Sequence, residues 1–92
     1  MTKVVWQPPA LLDLARLYDF LAAVNPRAAK AVLNHLKTAP SVLRTQPRLG
    51  TTLSEFSPRE VRRLIVGNYE LRYEIRADTV HILRLWHCHE DR

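Results

Sequence analysis

Cysteine is almost missing from this 92-residue sequence, Cys88 being the one copy. That excludes an internal disulfide framework and any zinc site of the two-cysteine type, and it fits a reducing cytoplasm. Long hydrophobic runs are missing too: no stretch approaches the roughly 20 apolar residues of a membrane-spanning helix. Met1 to Gln7 lack the charged-then-apolar pattern of a secretory signal. Repeats and low-complexity segments are absent. The length leaves room for one core, so residues 1–92 read as a single domain. A domain this small is marginally stable alone, and a bound partner would add to its stability.

Positive charge is what the sequence has, and it is unevenly placed. Fourteen Lys and Arg stand against nine Asp and Glu, with a pI near 10.0. Between Arg44 and Arg76 lie seven arginines (44, 48, 59, 62, 63, 72 and 76), four glutamates and no lysine. Arginine offers phosphate a planar, bidentate fork that lysine lacks. This half therefore reads as a contact half for phosphates or an acidic protein.

The periodicity changes once along the chain. Val4-Val5-Trp6 is β-prone and stops at Pro8-Pro9, which suit the first turn of a helix. Leu11, Leu14, Ala15, Tyr18, Leu21 and Ala22 then recur at helical spacing, with Asp13, Arg16 and Asp19 on the other side. Asn25-Pro26 predicts a cap and restart, and Ala28, Val32, His35, Leu36 and Ala39 continue an apolar stripe. The short connection predicts an antiparallel hairpin, with a break at Pro40 and a last turn through Leu43. Thr45 to Pro58 reads as loop. Tyr69, Leu71, Tyr73 and Ile75 then alternate with Glu70, Arg72, Glu74 and Arg76 at a period of two. Glu60–Val66 precedes them across a Gly67-Asn68 turn, and Thr79–Trp86 follows Ala77-Asp78, apolar on both faces. The fold class is α+β in the order β-α-α-β-β-β. A helical hairpin packs on one face of a twisted, largely antiparallel sheet, and the other face is basic.

That order, with several local signatures, resembles the ParE/RelE toxin superfamily of type II toxin–antitoxin (plasmid stabilisation) systems. The resemblance spans nearly the whole chain. Its signatures are Asp13-Leu14, Asn25-Pro26 with Ala28-Ala29, Pro47-Arg48-Leu49-Gly50, Arg62-Arg63-Leu64, Tyr69 to Ile75, and Ile82 to His87. It implies a toxin that arrests bacterial growth and is held inactive by a cognate antitoxin. RelE-like members cut mRNA in the ribosome without metal, the 2′-hydroxyl attacking the adjacent phosphate while the protein moves protons and neutralises charge. Aligned through the Tyr69–Ile75 strand, the RelE proton-transfer lysine falls on Arg63 and the next strand's arginine on Glu70. The arginine after the last strand falls on His89, and the terminal tyrosine falls past Arg92.

His87 and His89 could replace that set as catalytic proton carriers, since histidine titrates near neutral pH. Arg62, Arg63, Arg72 and Arg84 are then the phosphate- or RNA-binding residues, expected to converge on the uncovered face. Arg72 could instead pair with Glu70 or Glu74. Arg84 interrupts an apolar strand, so it should open into a groove or meet a carboxylate. His35 reads as a packing residue, and no metal or other cofactor is expected. Three activities follow from the resemblance: a metal-independent endoribonuclease (mRNA interferase) acting on ribosome and mRNA, a non-enzymatic DNA gyrase poison, or a degenerate antitoxin-binding module. The first is the leading reading. The antitoxin should be acidic, with a tail that is disordered alone and folds on apolar surface left by Leu12, Leu17, Leu33 and Ala23.

Overall fold

In the computed structural model, which describes residues 2–88, strand β1 (Lys3–Trp6) gives way to helix α1 (Pro8–Ala22) at the two prolines. Neither proline carries an N–H, and the first turn of a helix has no partner for one. Helix α2 (Pro26–Thr38) starts where Asn25 Oδ1 accepts the Ala28 N–H at 3.2 Å. Pro40 ends it as expected: the chain tightens into a 3₁₀ segment over Ala39–Arg44 that buries Pro40 and Leu43. The following stretch is not all loop. It holds a two-residue strand, β2 (Thr51–Thr52), and a 3₁₀ turn at Ser54–Phe56, both too short for periodicity to register.

Strands β3 (Glu60–Val66), β4 (Tyr69–Arg76) and β5 (Thr79–His87) form a meander closed by two-residue turns at Gly67-Asn68 and Ala77-Asp78. Gly67 sits at φ +60°, the region a side chain disfavours. The sheet order is β1-β5-β4-β3-β2, with β1 parallel to β5 and the other pairs antiparallel. The helices cover one face. Ala10 and Leu43 pack there on Leu71, Tyr73, Val80 and Ile82, and Leu14, Leu17 and Leu36 pack on Val66 and Leu85. Burying this apolar area, at about 25 cal/mol per Å², is the main force holding helices to sheet.

The helix stripes lie slightly off their expected positions. Ala10, Asp13, Leu14 and Leu17 are buried in α1, whereas Leu11 is 51% exposed. Leu17 therefore belongs to the core, not to the leftover surface. In α2, Ala29 and Leu36 are buried, while Ala28 and His35 are exposed, so His35 is not a packing residue. Apolar residues ring more than half of α1, so spacing alone does not fix which arc faces the sheet. Hydrogen bonding of Asp13, described below, does. The outer arc of the hairpin keeps Leu12, Phe20 and Val24 exposed, at 71%, 73% and 85%. Among the described residues no helix is long and apolar enough to cross a membrane.

Candidate functional site

The face away from the helices is basic on top and acidic underneath. Glu70 and Glu74, expected to point to solvent, are only 3% and 5% exposed. Arginines fold over them: Arg72 and Arg63 reach Glu70 at 3.5 and 4.0 Å, and Arg59 chelates Glu74 through two bonds of 3.0 and 2.9 Å. The Arg59 guanidinium holds the Glu74 carboxyl below its ordinary range, against the opposing effect of burial. Arg72 lies between two rings, its guanidinium carbon 4.8 Å from the Trp86 ring centre and 5.3 Å from that of Phe56. A cation held in this way is fixed and partly desolvated. Arg72 therefore does pair with Glu70, but its setting is an aromatic clamp supplied in part by the short Ser54–Phe56 turn.

Arg62 and Arg63 lie on opposite faces. Arg63 stands opposite Arg72, while Arg62 stands opposite the fully buried Tyr73, on the side of the helices. There Arg62 ties down the loop after α2. It donates to the Gly50 and Arg48 carbonyls at 2.8 and 3.3 Å and to Glu60 at 3.0 Å. Tyr73 completes the knot: its hydroxyl accepts the Gly50 N–H at 2.9 Å and donates to the Pro47 carbonyl at 2.8 Å. Burial pushes the Tyr73 hydroxyl above its ordinary range, so it keeps the proton it donates. Arg48 closes the ring on Glu60, whose carboxyl it holds below the usual range. Gly50 is required here, because a Cβ would sit 2.5 Å from the Arg63 carbonyl and 2.8 Å from the Tyr73 hydroxyl. The Pro47-Arg48-Leu49-Gly50 signature is thus a loop held by charge and one phenol.

Arg84 meets a carboxylate. Its Nε and Nη2 lie 2.8 and 3.2 Å from the two oxygens of Asp13, a buried residue that the helical spacing assigned to the solvent side. The reason is a strand edge. β1 stops short of β5: its last residue, Trp6, pairs with Ile82, and the Gln7 N–H closes the ladder on the Ile82 carbonyl. Beyond that point α1 flanks β5, and Asp13 Oδ2 accepts the Leu85 N–H at 2.9 Å. The side chain thus replaces a missing strand carbonyl, and Arg84, with Arg16 at 3.6 Å, balances its charge. Arg84 is opposite Arg72 in register but engaged at the sheet's α1 edge, its side chain 53% exposed.

His87 lies on the side of the helices. It is opposite Tyr69, which packs on the core, and the two rings meet edge to face at 5.2 Å. His89 lies outside the described residues. His81, without an evident partner in the sequence, meets the Gln7 side chain at 2.9 Å. The proposed proton carrier His87 and the open-face pair Arg63 and Arg72 are therefore not brought together. Arg62 and Arg84, expected beside Arg63, are each held elsewhere. Sequence reasoning also missed Asp13, Phe56 and Tyr73 as organisers. Among the described residues no three His, Cys, Asp or Glu cluster closely enough to hold a metal ion.

A helical hairpin on a five-stranded mixed sheet, with a basic far face and a glycine loop locked to the central strand, defines a small α+β toxin fold. A family model described as the ParE toxin of the type II toxin–antitoxin system parDE matches residues 4–92. The chain belongs to this family. Toxin RelE2 of Caulobacter vibrioides is 36% identical to it over 88 residues, covering 96% of this chain and 97% of the relative. A solved structure of the chromosomal ParDE system from P. aeruginosa shares the fold, with a TM-score of 0.78 at 20% identity over 95% of this chain and 96% of that one. Membership makes this protein the toxin of a type II pair and implies a cognate antitoxin.

Proposed function

We propose that this toxin arrests growth by binding its target rather than by cutting RNA, with DNA gyrase the target that the ParE resemblance implies. One observation carries the choice: the sheet stands between His87 and the pair Arg63 and Arg72. Cleavage by a 2′-hydroxyl needs a proton acceptor within hydrogen-bond reach of the atoms whose charge the cations neutralise. The arginines do not fill that role themselves, since a guanidinium stays protonated. This separation supports the binding reading over the mRNA interferase that led the three readings of the sequence. A binding poison needs only a fixed, shaped, cationic surface, and the Phe56–Arg72–Trp86 clamp is one.

The antitoxin, on the same reading, is an acidic chain that folds on docking. The ridge of Leu12, Phe20 and Val24 takes a helix, and the edge of β3 beyond its two pairs with β2 takes a strand. The test is induction of the toxin in cells with two readouts, gyrase-dependent DNA breaks and cuts in mRNA within codons. DNA breaks that persist in a His87→Gln variant are the expected result. In-frame cuts on ribosome-bound mRNA, lost in that variant, would overturn the proposal and restore the mRNA interferase reading.

A further inference from the structure

The open face carries a second basic feature, at the end of the sheet away from Arg63. A groove of about 620 Å³ opens where β4 and β5 meet the start of α1, lined by Arg59, Arg76 and Arg84 with Gln7, Pro9, Glu74 and Leu83. It exists because β5 gains a residue there. The register shifts between Arg72 and Tyr73, which pair with Arg84 and Ile82 and leave Leu83 unmatched.

The three arginine side chains are more than half exposed, and their carboxylates do not exhaust them. Arg59 gives Nε and Nη2 to Glu74 and keeps Nη1. Arg84 gives Nε and Nη2 to Asp13 and likewise keeps Nη1. Arg76 comes no nearer to Glu74 than 3.6 Å, at Nε, so its terminal nitrogens make no short bond to that carboxylate. Two arginines would be enough to balance Glu74 and Asp13, so the third is surplus. The acids are buried behind the cations, so beside the Gln7 amide, whose nitrogen is taken up by His81, the polar groups that the groove turns to solvent are arginine N–H donors. The start of α1 adds partial positive charge, since its first turn holds no acidic residue and Gln7 makes no capping bond. Pro8 and Pro9 have no N–H, so the helix contributes field and the arginines contribute the donors.

We propose that this groove binds a phosphate group, with Arg59, Arg76 and Arg84 each offering an unused Nη–H edge to its oxygens. Forked donors around one anion are the arrangement that phosphate recognition uses. The site stands apart from the gyrase reading and does not depend on it. The phosphate could be free or could belong to a nucleic-acid backbone.

The experiment titrates the purified full chain with orthophosphate at constant ionic strength, chloride serving as control, and follows the arginine Nε–Hε resonances. A single-stranded octanucleotide without terminal phosphate is the second probe. Arg76→Gln is the variant of choice because Arg76 makes no short bond to any carboxylate, and matched melting in chloride checks its fold. Saturable shifts of Arg59, Arg76 and Arg84 are expected with phosphate, and Arg76→Gln should weaken its affinity about tenfold, as for a lost bond to a charged group. If the source is a backbone, the variant's salt dependence of octanucleotide binding also falls by about 0.7 in log–log slope. Loss of phosphate binding with that slope unchanged supports the groove and assigns it a free phosphate. No saturable response in the wild type, or equal phosphate affinity in a folded Arg76→Gln variant, overturns the site.

Discussion

Replacing Asp13 tests how this fold closes the edge of its longest strand. The carboxylate accepts the Leu85 N–H at 2.9 Å and holds Arg84 through two further bonds. In Asp13→Ala the Leu85 N–H, in a residue that is fully buried, has no acceptor, and such an orphan costs about 1–3 kcal/mol. Loss of the Arg84 and Arg16 pairs adds about 1 kcal/mol or less, because both half-exposed side chains are taken up by water. A small void at a 4% exposed site adds about 1 kcal/mol more. The expected penalty is about 2–5 kcal/mol, a large share of the roughly 5–15 kcal/mol that stabilise a domain. Asp13→Asn keeps an oxygen for Leu85 and should cost about 1–2 kcal/mol, and Arg84→Gln about 1 kcal/mol or less. Urea unfolding followed by circular dichroism ranks the three. If Asp13→Ala proves no worse than Arg84→Gln, the carboxylate is an ordinary ion-pair partner and the strand-edge argument fails.

The remaining predictions concern the loop knot and the acids beneath the arginines. Gly50→Ala should lose about 2–3 kcal/mol in the same assay, because the added Cβ meets a backbone carbonyl that cannot move aside; a loss under about 0.5 kcal/mol would show that the loop is free to shift. Glu74 has its folded-state pKa lowered, chiefly by hydrogen bonding to Arg59, so its contribution to stability is present above the unfolded value of about 4.3 and is lost as pH falls through the folded one. Unfolding free energy should therefore begin to drop below about pH 5 and keep falling until Glu74 is protonated in the fold, and Glu74→Gln should flatten that drop. A variant with the wild-type slope would assign the acid sensitivity to other carboxylates.

What could be read from the sequence, and what could not, divides by distance along the chain. The restart at Asn25-Pro26, the break at Pro40 and the alternation of β4 are local, because caps, missing donors and pleat depend on near neighbours. The placement of Arg62 opposite Arg63 is local in the same sense: consecutive strand residues point to opposite faces, so convergence of the pair was excluded by the spacing itself. Asp13 is different. Its burial depends on β1 ending early and on an N–H some 70 residues away, and α1 alone carries no trace of either. The arginines follow the same division. Fourteen basic residues announce an anionic partner, but which cations remain available is decided by the buried acids that fix them. Arg62 is consumed by a loop and Arg84 in part by a strand edge, while the terminal nitrogens of Arg76 make no short bond to Glu74. Composition therefore carries the class of partner, and the carboxylates under the sheet surface decide where that partner can be held.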